Sequence, residues 1–358
     1  MRNNEKCAIL TAGAAVSKVA NAAVNKFAGG EARKGIEFLY AERVRQLFFR
    51  NDEIRDRGLT APDDIVRVTD LAYGEDPQQV LDVYYPAGPA GGAVDPPEEA
   101  QQASLFPVIV SVHGGGYVYG DKERYQYYCM SLAQRGFAVV NFSYRLAPEF
   151  RFPAQLEDTN AVMRFLCENA KTTSGVVCIP SGGNKTTSGV VLPLDLSNVF
   201  MAGDSAGVQI AVQYCVAVTE PAYAKKLSMD IPPFTLRACA FNCGLYVQDP
   251  RKDRMMMRCF FDGPAERYTE KMDYAGNLSK HFPPSFLMTS TGDFLRERAE
   301  PFAALLTGRG VENEVHVYGD DKNKPGHVFH CDFREPLAKI CNDDECAFFR
   351  RHIMPKDN

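Results

Sequence analysis

The chain predicts an α/β fold, in which a mostly parallel central sheet is flanked by helices and covered by a helical cap. Three observations carry this. Strand-like and helix-like patterns alternate from residue 107 onward. Two glycine-rich turns, His113-Gly114-Gly115-Gly116 and Gly203-Asp204-Ser205-Ala206-Gly207, each follow a short apolar run, at residues 108–112 and 198–202. A mixed stretch at residues 247–281, rich in methionine and aromatic residues, separates two strand patterns by more than a simple crossover needs.

Taken in order, residues 1–60 read as helical and charged. Small apolar residues recur there at helical spacing through Val16, Ala20, Val24 and Phe27. That spacing favours an amphipathic helix over the secretion signal that residues 7–16 weakly resemble, because Lys18 and Lys26 follow. Residues 65–73 and 79–85 alternate and read as strands. Residues 86–104, rich in Pro, Gly, Ala and Glu without periodicity, read as a solvated loop. Candidate strands then fall at 107–112, 137–142, 199–202, 236–241, 285–290 and 314–318, with helical stretches at 152–170, 206–218 and 296–309. The heptad Lys171-Thr172-Thr173-Ser174-Gly175-Val176-Val177 recurs at 185–191. Two copies are too few for a solenoid, so this reads as a surface insertion. The domain organisation that follows is an α/β body at 61–246 and 282–358, a cap insertion at 247–281, and an N-terminal helical region at 1–60 contributing to the cap. Met255-Met256-Met257 and Phe260-Phe261 suit an adaptable apolar lid.

The chain has 358 residues, a net charge of −5 and a hydrophobic fraction of 45%, enough for a sizeable core. No basic stripe dominates, which argues against a nucleic-acid partner. No run approaches the length of a membrane span. Eleven cysteines are scattered between Cys7 and Cys346 with no Cys-x-x-Cys pair. They read as small buried thiols in a reducing, cytoplasmic compartment, and a structural metal site is not expected.

The glycine-rich turns carry chemistry. Gly-x-Ser-x-Gly between a strand and a helix is the sharp turn that lifts a nucleophilic serine above a sheet, here Ser205. A serine hydroxyl needs a base within hydrogen-bond reach and a third group to orient that base. Of the six histidines, His113 lies in the first glycine loop, His281 in the cap, His316 within a strand and His352 near the end. His327 and His330 remain, both in the loop after the last strand, at the carboxyl end of the sheet. His327 follows the turn signal Pro325-Gly326 and is favoured, with His330 as the alternative. The acid should lie between them in chain order, and Asp293 ends a strand there. Backbone N–H groups of Gly115, Gly116 and Ala206 are the candidate oxyanion donors, because glycine alone allows the close approach.

With these residues in hand, the chain resembles the hormone-sensitive lipase family of α/β-hydrolase carboxylesterases, above all its bacterial members. The resemblance rests on His113-Gly114-Gly115-Gly116-Tyr117, on Gly203-Asp204-Ser205-Ala206-Gly207, and on Tyr144-Arg145-Leu146-Ala147-Pro148-Glu149 followed by Phe152-Pro153-Ala154 and Glu157-Asp158. It runs from about residue 79 to the end. It implies an α/β-hydrolase fold and hydrolysis of short-chain acyl esters through an acyl-enzyme, without a cofactor. Ser205, Asp293 and His327 would form the triad. Three positions depart from the family pattern: Val208 stands for a further glycine, Asp293-Phe294-Leu295 for Asp-Pro-Leu, and His327-Val328-Phe329 for His-Gly-Phe. Arg145 and Asp158 are expected to pair beneath the site. Tyr117, Tyr125 and Met256 are candidate substrate-binding residues, and a homodimer is the expected assembly. A non-catalytic small-molecule receptor on the same scaffold, or an amidase, peptidase or acetyl-sugar deacetylase, are the alternatives that the motifs leave open.

Overall fold

A computed structural model describes residues 30–87, 105–170, 191–249 and 251–355. The expected N-terminal amphipathic helix through Phe27, the loop at 88–104 and most of the duplicated 171–191 segment lie outside these residues.

Eight strands form one sheet: β1 (Ile65–Ala72), β2 (Val80–Pro86), β3 (Phe106–Val112), β4 (Ala138–Phe142), β5 (Leu194–Asp204), β6 (Leu236–Asn242), β7 (Ser285–Ser290) and β8 (Asn313–Tyr318). Their order is β1-β2-β4-β3-β5-β6-β7-β8. β2 runs antiparallel to both β1 and β4, and every other neighbour is parallel. The helices are α1 (Gly30–Arg55), α2 (Lys122–Ala133), α3 (Ala154–Asn169), α4 (Ala206–Thr219), α5 (Pro221–Lys226), α6 (Arg254–Phe260), α7 (Thr269–Met272), α8 (Tyr274–Asn277), α9 (Ala299–Gly308) and α10 (Pro336–Arg351).

Alternate side chains of the central strands point to opposite faces, which splits the core in two. On one face Val108, Val110, Met201, Phe241 and Leu287 pack with α3, α4 and α9. On the other Ile109, Val139, Phe200, Ala240 and Phe286 pack with α2 and α10. Burial on both faces is why these strands read as continuous apolar runs.

The departures from the sequence reading have local causes. β5 begins at Leu194 rather than at residue 199, because Asp195 and Ser197 interrupt the apolar run. The Asp195 carboxylate is engaged locally, accepting from the Ser197 N–H at 3.1 Å and the Asn198 amide at 3.0 Å. The helix expected at 296–309 is a 3₁₀ turn, Arg296–Arg298, followed by α9. Pro301 is the reason, since a proline is tolerated only where no helical N–H is required, in the first turn. Helix α2 is not among the helical stretches that the sequence pattern marks. The start of α2 carries a cap in which the Asp121 carboxylate accepts from the Arg124 N–H at 2.9 Å.

Between β6 and β7 the chain folds into α6, a 3₁₀ turn at Ala265–Tyr268, α7 and α8. Helix α1 lies beside this segment. Arg151, in the loop before α3, donates to the carbonyls of Arg258 at 2.7 Å and Phe261 at 2.8 Å, and to Glu37 of α1 at 2.8 Å. Among the described residues no helix is long and apolar enough to cross a membrane.

Candidate active site

Ser205 occupies the turn between β5 and α4 with φ +50° and ψ −119°, a region that non-glycine residues rarely adopt. The surroundings enforce it. The Ser205 N–H donates to the Asn242 carbonyl at 3.1 Å, and the Leu245 N–H donates to the Ser205 carbonyl at 2.9 Å. A Cβ on Gly207 would run into the Val112 carbonyl oxygen, so the motif glycine is a condition of packing the turn against β3.

The Ser205 hydroxyl Oγ lies 2.9 Å from His327 Nε2, and His327 Nδ1 lies 2.7 Å from Asp293 Oδ1. A carboxylate only accepts, so Nδ1 carries the proton and Nε2 offers its lone pair to the serine hydroxyl. Asp293 also accepts from the Thr289 hydroxyl at 2.8 Å and the Leu295 N–H at 2.9 Å. Burial works to raise this carboxyl, but the bonds from His327, Leu295 and Thr289 outweigh it and hold the group below the ordinary carboxylate value. The Ser290 hydroxyl donates to the Pro325 carbonyl at 2.8 Å, which ties the loop carrying His327 to the strand carrying Asp293.

His330, the alternative base, is fully buried in the 3₁₀ turn Phe329–Cys331, with Nε2 3.4 Å from Cys331 Sγ. Burial lowers it to about 3, so it stays neutral. His113 is likewise lowered by burial, to about 4, and donates from Nδ1 to the Gly114 carbonyl at 2.8 Å.

The glycine loop sits at the same end of the sheet as the serine, because Val112 pairs with Gly203 across β3 and β5. Gly115 and Gly116 have φ of +107° and +63°. A Cβ on Gly115 would collide with the Tyr119 carbonyl. The Val118 and Tyr119 N–H groups close the loop onto the Gly115 carbonyl at 3.3 and 3.1 Å. Ala206 opens α4, whose N-terminal dipole favours negative charge.

The three candidate pocket residues differ in placement. Tyr117 is fully buried, stacked on Phe260 at 3.9 Å, and its hydroxyl bonds Gln209 and Gln248. Tyr125 is buried beneath the nucleophile turn and donates to Asp204 Oδ2 at 2.9 Å. Both rings are thus packed inside the protein. Met256 is half-buried and approaches the glycine loop, its sulfur lying 3.6 Å from where a Cβ on Gly116 would stand. Arg145 and Asp158 form the expected pair, with Nη2 to Oδ1 at 2.7 Å and the Arg145 N–H to Oδ2 at 2.8 Å.

Sequence reasoning missed three participants. Asp204 accepts from the Gly114 N–H at 2.9 Å and so joins the serine turn to the glycine loop. Its signal was present inside the motif. Phe294 packs against His327 with ring centroids 4.3 Å apart. Cys243, with φ +48°, stands within 4.8 Å of Asp293 and His327 in the one group of three possible metal ligands among the described residues. Burial keeps its thiol protonated, well above the ordinary value. Asp293 and His327 are engaged with each other, so the set is a carboxylate–imidazole pair with a buried thiol beside it.

A family model described as alpha/beta hydrolase fold matches residues 109–330. Esterase LipI of Mycobacterium tuberculosis is 26% identical over 248 residues, which cover 64% of this chain and 69% of that protein. Ethyl acetate hydrolase of Pseudomonas putida is 25% identical over 231 residues, covering 62% of this chain and 66% of that one. The chain therefore spans about two thirds of the length of these curated relatives. The crystal structure of Esterase B from Lactobacillus rhamnosis superposes with a TM-score of 0.72 at 21% identity, covering 89% of this chain and 96% of that one.

Proposed function

The chain belongs to the α/β-hydrolase fold family, in its hormone-sensitive-lipase-like group, and from that premise we propose that it is a serine carboxylesterase acting on small, short-chain acyl esters. The observation that carries this reading is the hydrogen-bond chain from Ser205 through His327 to Asp293, at 2.9 and 2.7 Å, beside a loop that only glycine can form.

In this reading Ser205 Oγ attacks the ester carbonyl while His327 Nε2 takes its proton. Asp293 holds the imidazole in the tautomer that can do so and stabilises the imidazolium. The N–H groups of Gly115, Gly116 and Ala206 receive the developing oxyanion, each donor contributing on the order of 3 kcal/mol. His327 then gives the proton to the departing alkoxide, leaving an acyl-serine. A water, activated by the same imidazole, releases the acid and restores the hydroxyl. No cofactor enters any of these steps.

Helix α1 and the 247–281 segment form the cap in this proposal. The Met256 thioether beside Gly116 narrows the space next to the oxyanion loop, which supports a small acyl group. The name of the Pseudomonas putida relative, ethyl acetate hydrolase, supports the same size class. The test is hydrolysis of 4-nitrophenyl esters from acetate to decanoate by the protein and its Ser205→Ala variant. Activity is expected to fall with chain length and to drop by at least ~10³-fold in the variant. Undiminished turnover by Ser205→Ala would overturn the reading.

A further inference from the structure

Phe294 is 59% exposed, yet its ring lies against the His327 imidazole at 4.3 Å and 45°. The backbone fixes this placement. The Asp293 N–H donates to the Ser290 carbonyl at 3.1 Å, and the Arg296 N–H donates to the Asp293 carbonyl at 3.3 Å. A Cβ on Gly292 would strike the Pro325 carbonyl, so the turn bearing Phe294 and the loop bearing His327 are held face to face. Arg298 lies in the 3₁₀ turn that follows. It donates to the Val247 carbonyl at 3.0 Å and pairs with Asp253 at 2.9 Å, and Val247 is itself 53% exposed.

A large apolar side chain left in water gains free energy from any apolar group that covers it. The geometry decides which half of an ester that would be. His327 Nε2, at 2.9 Å from Ser205 Oγ, passes the serine proton to the leaving alkoxide. The alcohol half must therefore leave along the imidazole. The carbonyl oxygen points instead toward the glycine loop, where Met256 stands beside Gly116. Only the alcohol half is brought against the ring that Phe294 touches.

We infer that Phe294 is a specificity-determining residue for the alcohol half of the ester, selecting alcohols that carry an aromatic or bulky apolar group over small alkyl alcohols. This rests on the esterase reading. Benzyl acetate and ethyl acetate test it, because they share the acyl group and release alcohols of similar basicity. Initial rates are followed by acid release for the protein, Phe294→Ala and Phe294→Leu.

In Phe294→Ala, kcat/KM for benzyl acetate is expected to fall about tenfold, chiefly through KM, while ethyl acetate changes by no more than about twofold. Phe294→Leu falls between. An unchanged benzyl-to-ethyl ratio overturns the inference. So does an equal loss on both esters carried by kcat, which would mean that the ring only steadies His327. If the unaltered protein turns over neither ester, the esterase reading fails and this inference with it. Ser205-dependent turnover with an unchanged ratio defeats this inference alone.

Discussion

Asp204 joins the two halves of the candidate site with one buried carboxylate. It follows Gly203 at the end of β5, accepts the Gly114 N–H at 2.9 Å and the Tyr125 hydroxyl at 2.9 Å, and immediately precedes Ser205, the proposed nucleophile. Burial pushes it up to about 7, against the pull of the Tyr125 hydroxyl and the Gly114 N–H. Asp204→Asn keeps the shape but weakens the bond that fixes the glycine loop. In the proposed mechanism that loop acts on charge that develops only in the transition state, so kcat is expected to fall about tenfold with KM nearly unchanged in steady-state ester hydrolysis. A change carried by KM would show that Asp204 shapes the ground-state pocket instead. At this scale the nucleophile and the glycine loop were legible because each is a contiguous motif with its own steric logic. His327 and His330 share one loop, and only the turn signal Pro325-Gly326 favours the first. Three-dimensional placement separates them, giving His327 the serine and leaving His330 buried and neutral. The sequence marks Tyr125 and Phe294 as positions, but their contacts with Asp204 and His327 join residues that a linear pattern does not bring together.

Helix α10 shows the same limit for elements. Its stripe is broken by Glu345, a carboxylate fully buried against β6 and α2, where Tyr128 Oη donates at 2.9 Å and the Asn242 amide at 3.1 Å. An acid inside an apolar face hides the helical period, whereas the parallel strands, buried on both faces, read plainly as apolar runs. Asn242 also receives the Ser205 N–H on its carbonyl, so α10 braces the strand end behind the nucleophile. Burial pushes Glu345 up to about 7, although Tyr128 and Asn242 pull it down. Its folded value lies above the ordinary 4.5, so its contribution to stability is complete below about pH 4.5 and is lost as pH rises through 7. Glu345→Gln has no such titration. Its melting temperature relative to the parent should therefore rise between pH 5 and pH 8, giving a variant no more stable than the parent at pH 5 and a few degrees more stable at pH 8. Thermal unfolding followed by circular dichroism at both pH values checks this, and a difference that does not vary with pH would show that the buried carboxyl titrates as it does in water.

Across the whole molecule, Arg151 is the polar side chain that ties the sheet body to both elements proposed as its cap. Arg151 receives no strand or helix of its own, yet it donates to three carbonyls at the end of α6, those of Arg258, Cys259 and Phe261, and pairs with Glu37 of α1, which is nearly buried. Arg45 adds a second tie from α1, to the carbonyls of Val118 and Ala147 and to Glu149. Apolar contact through Ala41, Cys259 and Phe260 completes the joint and continues the core on that face of the sheet. The joint between the two proposed cap pieces thus includes a guanidinium whose planar fork reaches both at once, a geometry that neither methionine nor lysine reproduces. Arg151→Met keeps the aliphatic stem but removes every donor, taking the ion pair from a nearly buried acid at a cost of about 3 kcal/mol. Because the loss falls on the joint and not on the sheet, α1 should be released faster by limited proteolysis while the body resists. Ester kcat/KM should fall about tenfold as the site opens to water. Equal proteolysis of parent and variant would place the strength of the joint in the apolar contacts at Ala41, Cys259 and Phe260, with the arginine contributing only orientation.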